Sequence, residues 1–427
     1  MNNILVIGAG SVGALMGASL IKAGLKVTFA GKPNSTYTQR LQNQGLQLYY
    51  ANGERLWISP LHPNVNFTDT ATYLSEKFDI IIVALKSNDL IRVTSYIQSH
   101  STPDTILIHA QNGIPYWWFD NDIYLSSLND NLVNQLSCRR YLDSVDQNGA
   151  LYRALSDRIL VGCVVKAPCQ RNKDGKVQVK KPPKLILGLT KKDSRNLKLQ
   201  VTIQRLCDLF SQYGVAASYT NKIRTAVCNK LAVNVTTNVL SALTGRVIAD
   251  LTSNHYTNSL IKTVIAEINH VFGTYGIKAE DLPTEQGIYA YITAPGSQSH
   301  LPSLAQDFSQ RKPGEISLIT APVEMAQIAQ INVPTLLSLS ELLKLGQDYN
   351  LNISDDKSNI LTLEHPSGCS MLTLTDDVCQ SSVVDKLQFS NLLVHLLRVN
   401  ASAMTIDQVF TQDKTFNKQA DLMPIAS

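Results

Sequence analysis

Acidic side chains are absent from the first part of the chain, where no aspartate or glutamate occurs before Glu54. The chain also lacks a C-x-x-C pair among its 7 cysteines, and it lacks an apolar run as long as a membrane span. An odd number of cysteines without such a pair is typical of reduced thiols in a cytoplasmic protein, which is the location we expect. The opening residues lead directly into a predicted strand at Ile4, so no signal peptide is expected.

Charge is sparse and nearly balanced along the sequence. The 427 residues are 44% hydrophobic and 17% charged, with a net charge of +4, which is typical of a globular protein with two or three domains. This mild charge predicts neither a nucleic-acid partner nor a membrane surface. The basic stretch at residues 173–184 is interpreted as a solvated hairpin. No metal site and no internal repeat are predicted.

What the chain does have is a glycine-rich turn near its start. An apolar run at residues 4–7 leads into Gly8-Ala9-Gly10-Ser11-Val12-Gly13 and then into a helical pattern, which predicts the dinucleotide-binding turn of a Rossmann unit. Gly8 permits the tight turn, Gly10 lets a pyrophosphate approach the backbone, and Gly13 lets helix and strand pack closely. Ser11 and Val12 open the helix, whose N-terminus favours phosphate groups.

The absence of acidic residues indicates which dinucleotide is bound. Residues 26–30 predict a second strand, after which an NAD enzyme would place a carboxylate for the ribose 2′-hydroxyl. The chain has Gly31 and Lys32 there instead. A cation suits a 2′-phosphate, whereas a carboxylate would repel it, so NADP(H) is favoured over NAD(H). The alternative is that Lys32 is an ordinary solvated loop lysine.

Two more polar residues follow predicted strands. The apolar runs at 78–85 and 105–109 are typical of parallel strands that are covered on both faces, and Lys86 and Asn112 come shortly after them. Ligands of open α/β sheets bind beyond the carboxyl ends of the strands, so both residues stand where a cofactor or a substrate would bind. The alternatives are a solvated lysine and an Asn-Gly turn.

The remaining patterns predict an α/β fold. Further strands are predicted at 159–165, 177–179 and 185–189, and a helix at 196–213. We predict an N-terminal NADP-binding domain with a Rossmann-type doubly wound sheet over 1–213, which includes an insertion, helical in part, at about 116–158. An all-helical C-terminal domain for substrate and catalysis is predicted over 214–346, and residues 347–427 form an extension of unknown role.

A polar stripe occurs in the predicted helix at 223–243. Lys230, Asn234 and Asn238 are spaced four residues apart and therefore share one helix face. Apolar residues flank the stripe, so we expect it to face a cleft, where an ammonium group can donate a proton and two amides can bind a substrate. The alternative is an exposed polar edge.

These residues, with several motifs further along, occur in one characteristic order. The motifs are Gly8-Ala9-Gly10-Ser11-Val12-Gly13 with Lys32, Leu85-Lys86, Gln111-Asn112-Gly113, Asn229-Lys230-Leu231-Ala232-Val233-Asn234 with Asn238, Ala279-Glu280-Asp281-Leu282, Ser303 with Gln306-Asp307, and Lys312-Pro313-Gly314-Glu315-Ile316. Over about residues 1–345 the chain resembles the ketopantoate reductase (2-dehydropantoate 2-reductase) family. The K-L-A-V-N motif together with the later Glu-Ile is far more specific than the glycine turn.

The resemblance implies hydride transfer from NADPH to the C2 ketone of a small branched 2-keto acid, in pantothenate and coenzyme A biosynthesis. Lys230 would stabilise the charge on the carbonyl oxygen and deliver the proton, and Glu315 would bind the substrate hydroxyl and hold the lysine. Asn234, Asn238, Ser303 and Asn112 would position the substrate. The resemblance further implies that Asn112 orients the nicotinamide ring and that Lys86 lies near the cofactor ribose or phosphates.

Two of these residues have simpler explanations. Glu315 follows Pro313-Gly314, so it is also suited to the first turn of a helix, where negative charge is favourable. Ser303 follows Pro302 and is also a good helix N-cap.

The chain departs from the family pattern at two places. After Glu315-Ile316 it reads Ser317-Leu318-Ile319-Thr320-Ala321, where many members have an Asp, an aromatic residue and then Ile-Asn-Gly. Short members have no counterpart of residues 347–427, in which 387–399 predicts a docked or interacting helix and 411–427 a polar mobile tail.

Other functions are compatible with these residues. One alternative is an NADPH-dependent reductase of another 2-keto acid, and the other is a non-catalytic NADP-binding sensor or scaffold. An intact Lys230 and Glu315 argue against a sensor, which has no need of a proton donor. The oligomeric state is left open, with a homodimer among the options.

Overall fold

The computed structural model describes residues 3–191, 197–294 and 296–352, which form two compact units that alternate along the sequence. Unit 1 contains the described residues of 3–234, 268–284 and 317–331. Unit 2 contains those of 235–267, 285–316 and 332–352. The predicted domain limits at 213 and 346 stay predictions, and the helix and tail predicted at 387–399 and 411–427 lie outside the described residues. No helix in the described ranges is both long and apolar enough to cross a membrane.

The strands of the described chain are β1 (Asn3–Ile7), β2 (Lys26–Gly31), β3 (Leu46–Tyr50), β4 (Arg55–Ile58), β5 (Val65–Asp69), β6 (Ile80–Val83), β7 (Ile106–His109), β8 (Ile159–Lys166), β9 (Cys169–Arg171), β10 (Val177–Val179), β11 (Lys184–Leu189) and β12 (Ala216–Tyr219). The α-helices are α1 (Ser11–Lys22), α2 (Thr36–Gln44), α3 (Ser87–Leu90), α4 (Thr94–His100), α5 (Asp122–Leu125), α6 (Asp130–Ser137), α7 (Ala150–Leu155), α8 (Leu197–Gln212), α9 (Ile223–Thr244), α10 (Ile248–Ser253), α11 (His255–Thr274), α12 (Glu285–Ile292), α13 (Ser303–Ser309), α14 (Ser317–Ile328) and α15 (Pro334–Asn352).

A large twisted sheet forms the centre of unit 1. Its strand order is β12-β11-β8-β7-β6-β1-β2-β5, and the six strands from β8 to β5 are parallel. From β1 the chain continues to β2 and β5 on one side and to β6, β7 and β8 on the other, so β1 and β6 flank a topological switch point. β11 runs antiparallel to β8 and β12 lies parallel to β11. The predicted doubly wound Rossmann-type sheet is confirmed.

Central strands are apolar because both of their faces are covered. Ile4 to Ile7 in β1 and Ile80 to Val83 in β6 are buried along their whole length. The strand predicted at 78–85 corresponds to β6, which is shorter than the apolar run. Phe78 and Leu85 lie in the connections on either side of it. The chain also returns to the sheet as β12 after Gly214 and only then becomes helical.

A small second sheet of order β4-β3-β10-β9 was not predicted as a unit. The solvated hairpin expected at 173–184 is only partly correct: β9 and β10 pair antiparallel around a turn at 172–176, so the hairpin starts before the basic stretch and ends at Val179. Val177 and Val179 are buried, so one face of this hairpin belongs to the core rather than to solvent.

The insertion predicted at 116–158 is helical in part, as expected, and contains α5, α6 and α7. Asn121 and Asn129 cap the first two of these helices, because each side-chain oxygen accepts a bond from a backbone N–H three residues later. Trp117, Trp118 and Phe119 are each 1% exposed and pack at the start of the insertion.

Helices make up the described part of unit 2. The carboxylate of Glu267 accepts bonds from the backbone N–H groups of Thr335 and Leu336, at 3.0 and 2.8 Å. These groups open α15, so an acidic side chain satisfies donors that the helix itself leaves unpaired. Unit 2 also includes the C-terminal half of α9, so this one helix contributes residues to both units.

Candidate active site

The glycine turn lies between β1 and α1, beside the topological switch point. Gly8 has φ +93°, and a Cβ added to it would lie 2.7 Å from the carbonyl oxygen of Ala84. A Cβ on Gly13 would lie 2.1 Å from the carbonyl oxygen of Gly8. Apart from Gly10 itself and its two neighbours in the chain, no described residue has an atom within 4 Å of a Cβ added to Gly10. Gly8 and Gly13 are therefore required by packing, whereas Gly10 keeps a space open above the turn.

The N-terminus of α1 opens at this space. Gly10 is the N-cap residue and gives no side-chain cap, and the first turn, all of it described, carries no acidic side chain. Ser11 and Val12 are half-buried at the start of the helix. Unpaired N–H groups and the positive end of the helix dipole favour an anion here. The turn therefore fits the pyrophosphate of a dinucleotide.

Lys32 directly follows β2 and its side chain is exposed. Its carbonyl oxygen accepts bonds from the Thr38 hydroxyl at 3.0 Å and from the Ser35 backbone N–H at 3.3 Å. The backbone is therefore held at the end of the strand, with a cation at the position predicted for a 2′-phosphate. Its role towards NADP(H) stays a prediction.

The loops that follow β6 and β7 lie side by side because their strands are neighbours. Lys86 is exposed and is the N-cap residue of α3, and Asn112 is half-buried. The Gln111 side chain donates to the carbonyl oxygen of Leu85 at 3.4 Å, which links the two loops. The hydroxyl groups of Ser87 and Ser317 lie 3.4 Å apart, so the start of α14 also meets the β6 loop.

Asn112 and Lys230 come together in unit 1. The Lys230 Nζ donates a hydrogen bond of 2.5 Å to Asn112 Oδ1. Both side chains are half-buried. Because an ammonium group and an amide oxygen form a charge-assisted bond, Asn112 fixes the direction of the Lys230 side chain. Two residues that were predicted separately are thus placed in one site.

The polar stripe of α9 is not an exposed edge. Lys230 and Asn234 are half-buried and Asn238 is 8% exposed. The flanking Leu231 and Val235 are buried, as the pattern predicts for a stripe that faces the interior. Within unit 2, the Thr237 hydroxyl donates to Asn238 Oδ1 at 3.1 Å, which orients the amide.

Glu315 and Ser303 belong to unit 2, and neither has the simpler role considered for it. α14 begins at Ser317, so Glu315 lies before the helix rather than in its first turn. α13 has Pro302 as its N-cap residue and no side-chain cap, so Ser303 is its first helical residue. Glu315 is half-buried and Ser303 is exposed. Their roles towards substrate stay predictions.

The backbone next to Glu315 is closely packed. A Cβ added to Gly314 would lie 2.3 Å from Leu304 Cδ1, and the Gly314 N–H donates to Gln347 Oε1 at 2.9 Å. This glycine therefore holds the segment that carries Glu315 against α13 and α15 within unit 2.

Two features of the site were missed by sequence reasoning. His109, at the end of β7, hydrogen bonds through Nε2 to the Tyr116 hydroxyl at 2.9 Å, and both side chains are buried. The signal was a histidine at the end of an otherwise apolar strand. Burial lowers the pKa of His109 to about 3 and raises the pKa of Tyr116 well above its usual range, so the pair is neutral.

The second feature is Arg224, in the first turn of α9. Its guanidinium donates to the carbonyl oxygens of Trp118 at 2.9 Å and Thr190 at 3.0 Å, and it lies 4.3 Å from the centre of the Tyr124 ring. These contacts tie the aromatic insertion to the helix that carries Lys230. A lone arginine in an apolar helix was the signal, but its partners lie 34 or more positions away in the sequence.

Comparison with known proteins agrees with this arrangement. Residues 4–115 match the family described as ketopantoate reductase PanE/ApbA, and residues 222–347 match the family described as its C-terminal part. A 2-dehydropantoate 2-reductase of Mesorhizobium japonicum is 24% identical over 343 residues, which cover 80% of this chain and 96% of that protein.

Solved structures share the fold. A candidate ketopantoate reductase of Ralstonia solanacearum MolK2 is 26% identical with a TM-score of 0.66, and the match covers 82% of this chain and 98% of that one. D-mandelate dehydrogenase in a ternary structure with NADH and anilino(oxo)acetate is 18% identical with a TM-score of 0.63, covering 81% and 99%. The chain therefore belongs to the ketopantoate reductase PanE/ApbA family and is an oxidoreductase that acts on a 2-keto acid.

Proposed function

We propose that this protein catalyses the NADPH-dependent reduction of 2-dehydropantoate to pantoate, a reaction of pantothenate and coenzyme A biosynthesis. The observation that carries the proposal is the 2.5 Å hydrogen bond between Lys230 Nζ and Asn112 Oδ1. It places a half-buried ammonium group at the loop that follows β7, on the edge of the sheet where open α/β folds bind their ligands.

Lys230 is proposed as the proton donor. When the C2 ketone is reduced, negative charge develops on its oxygen, and a cation held in a partly water-excluded site stabilises that charge more than bulk water does. The proton then passes from Nζ to the oxygen and completes the hydroxyl group of the product. Asn112 contributes by orienting Nζ, since its amide oxygen accepts one of the ammonium hydrogens.

The substrate is proposed to be bound by uncharged and acidic groups of α9 and unit 2. Asn234 and Asn238 offer amide donors along one face of α9, and Ser303 offers a hydroxyl. Glu315 is proposed to accept a hydrogen bond from the substrate hydroxyl. Such positioning lowers the activation barrier, because the entropy cost of bringing the reactants together is met when the substrate binds.

A nicotinamide cofactor fits the turn at the end of β1. The open space at Gly10 and the N-terminus of α1 suit a pyrophosphate, and the tight packing of Gly8 and Gly13 keeps this shape. Lys32 is proposed to bind the 2′-phosphate and Lys86 to lie near the ribose or phosphates. When bound, NADPH supplies the hydride that is added to C2.

A second candidate is the reduction of another 2-keto acid. It is favoured by residues 317–321, which open α14 with Ser317 and Leu318. Ser317 lies 3.4 Å from Ser87 through their hydroxyls, and a Cβ on Gly113 would lie 3.6 Å from Leu318. These residues, which differ from the usual family pattern, therefore adjoin the loops of Lys86 and Asn112 and bear on substrate choice.

The experiment that tests both candidates is a steady-state assay of several 2-keto acids, each with NADPH and with NADH. We expect the highest kcat/KM with 2-dehydropantoate and NADPH. A higher value with another 2-keto acid would select the second candidate, and no turnover with any of them would support a sensor or scaffold. A dimeric ketopantoate reductase of Staphylococcus aureus shares the fold, so light scattering should accompany the assay to test for a homodimer. The cytoplasmic location stays a prediction.

A further inference from the structure

The loop that carries Asn112 is closed by side chains at both of its ends. His109 is the last residue of β7, Tyr116 follows Pro115, and residues 110–115 lie between them. The His109 Nε2 and the Tyr116 hydroxyl share a hydrogen bond of 2.9 Å, and the two rings meet edge to face with centres 4.9 Å apart. We call this pair the His109–Tyr116 clasp.

Backbone hydrogen bonds hold both ends of loop 110–115, and the His109–Tyr116 clasp links these two ends. The Ala110 N–H donates to the carbonyl oxygen of Val83 at 2.9 Å, which extends the pairing of β7 with β6 by one residue. The Trp118 N–H donates to the carbonyl oxygen of Pro115 at 3.0 Å, which forms the turn after the loop. Between these two bonds lies the segment with Asn112 and with Gly113, whose φ is +80°.

Burial makes the clasp strong and keeps it uncharged. His109 and Tyr116 are each 2% exposed, so the bond does not compete with water. Burial lowers the pKa of His109 to about 3, and the pKa of Tyr116 is raised well above its usual range by burial and by the nearby Asp120 and Asp146. The pair is therefore neutral at pH 7.

We infer that His109 and Tyr116 are positioning residues for the reaction, because their buried hydrogen bond closes loop 110–115 and thereby fixes Asn112 against the Lys230 ammonium. This inference rests on the proposed function, in which Lys230 is the proton donor. Neither ring is assigned a contact with substrate or cofactor. The clasp acts through Asn112, whose 2.5 Å bond to Lys230 needs both groups at fixed positions.

Tyr116→Phe breaks the hydrogen bond of the clasp by removing one oxygen atom, and it keeps the ring and its packing. We expect kcat to fall roughly tenfold or more, because a shift of about 1 Å in a positioning group costs rate on the order of a hundredfold. The KM for NADPH is expected to change less than about twofold, since the loop does not hold the phosphates. The same substitution made in an Asn112→Ala background should give no further fall in kcat.

Tyr96→Phe is the matched control. Tyr96 also packs against a histidine, His100, with ring centres 4.2 Å apart and the rings tilted, and its buried hydroxyl has no hydrogen-bond partner among the described residues. It lies on α4, away from the Asn112 loop in sequence. Its loss should leave kcat unchanged. A fall in kcat of the same size in both variants, or an equal further loss in the Asn112→Ala background, would overturn the inference.

Hydrogen exchange separates this inference from the proposed function. In Tyr116→Phe, backbone exchange in the peptide that spans 110–118 should speed up roughly tenfold, whereas Tyr96→Phe should leave it unchanged. This measurement needs no substrate. Unchanged exchange in Tyr116→Phe refutes the clasp even if the enzyme reduces 2-dehydropantoate, and an inactive wild type refutes the proposed function even if the exchange rises.

Discussion

The Nζ of Lys230 and the Oδ1 of Asn112 lie 2.5 Å apart, although 118 positions of sequence separate the two residues. One residue comes from the middle of a long helix and the other from the loop after a central strand. Taken alone, Asn112 can be explained as part of an Asn-Gly turn and Lys230 as part of an exposed polar helix edge. Their bond brings the residue proposed as the proton donor to the carboxyl edge of the sheet, where open α/β folds bind their ligands.

Replacing the proposed proton donor should abolish catalysis and leave the cofactor bound. We expect Lys230→Ala to lower kcat/KM for 2-dehydropantoate by about three orders of magnitude or more, because both charge stabilisation and proton transfer are lost. NADPH affinity, measured by fluorescence titration, should stay within about twofold. Lys222→Ala is the control, since this exposed lysine binds Asp281 at 2.7 Å and has no proposed role in the chemistry. Turnover that survives Lys230→Ala would refute the mechanism.

Two glycines of the turn should respond oppositely to the same added methyl group. Gly10→Ala places its Cβ in open space at φ −68°, so thermal stability should be unchanged while the KM for NADPH rises at least about tenfold. Gly13→Ala places its Cβ 2.1 Å from the Gly8 carbonyl oxygen, so the protein itself should lose stability. The comparison needs thermal melts and NADPH titrations of both variants. Equal stability losses would mean that Gly10 is also a packing residue.

Local patterns predicted most elements that carry the site. The first two strands, the apolar runs of β6 and β7 and helix α9 were all predicted, because buried parallel strands and a long helix leave strong periodic signals. The small sheet was harder to predict, because β4 and β9 are short and the pair that joins its two hairpins, β3 with β10, is distant in sequence. β12 was missed because it has only four residues, none of which is buried.

The site itself was predictable only as a set of separate residues. Spacing placed Lys230, Asn234 and Asn238 on one helix face, but no local rule joins Lys230 to Asn112 or His109 to Tyr116. Long-range pairs depend on how the chain folds back, which the sequence of either segment does not show. The simpler explanation of Glu315 failed because α14 begins two residues later than its Pro-Gly pair suggests.

The charge of Lys32 should decide between the two nicotinamide cofactors. Lys32→Glu is expected to raise the KM for NADPH roughly tenfold or more, because a carboxylate repels the 2′-phosphate, and to leave the KM for NADH unchanged or lower. Lys26→Glu makes the same change of charge at the other end of β2, where the side chain is also exposed. Equal effects of the two substitutions would show that general charge, rather than a 2′-phosphate contact, sets the preference.

Asp120, which lies in the insertion, should make the stability of the folded protein depend on pH. Its side chain is 3% exposed, and burial raises the pKa of its carboxyl group from 3.8 to about 6, although the Lys191 ammonium at 3.3 Å works in the opposite direction. A raised pKa in the folded state means that the folded protein binds the proton more tightly. The contribution of Asp120 to the free energy of unfolding should therefore fall as pH rises from about 4 to about 6.

Asp120→Asn removes this penalty, because an amide stays neutral throughout. The unfolding free energy of the variant, relative to wild type, should increase by up to about 3 kcal/mol between pH 4 and pH 7.5, measured by urea unfolding at both values. Asp122→Asn is the matched control, since its side chain is 82% exposed in its pair with Arg140 and burial does not oppose its charge. A relative stability of Asp120→Asn that decreased with pH would mean that the pair with Lys191 outweighs burial, contrary to what we expect.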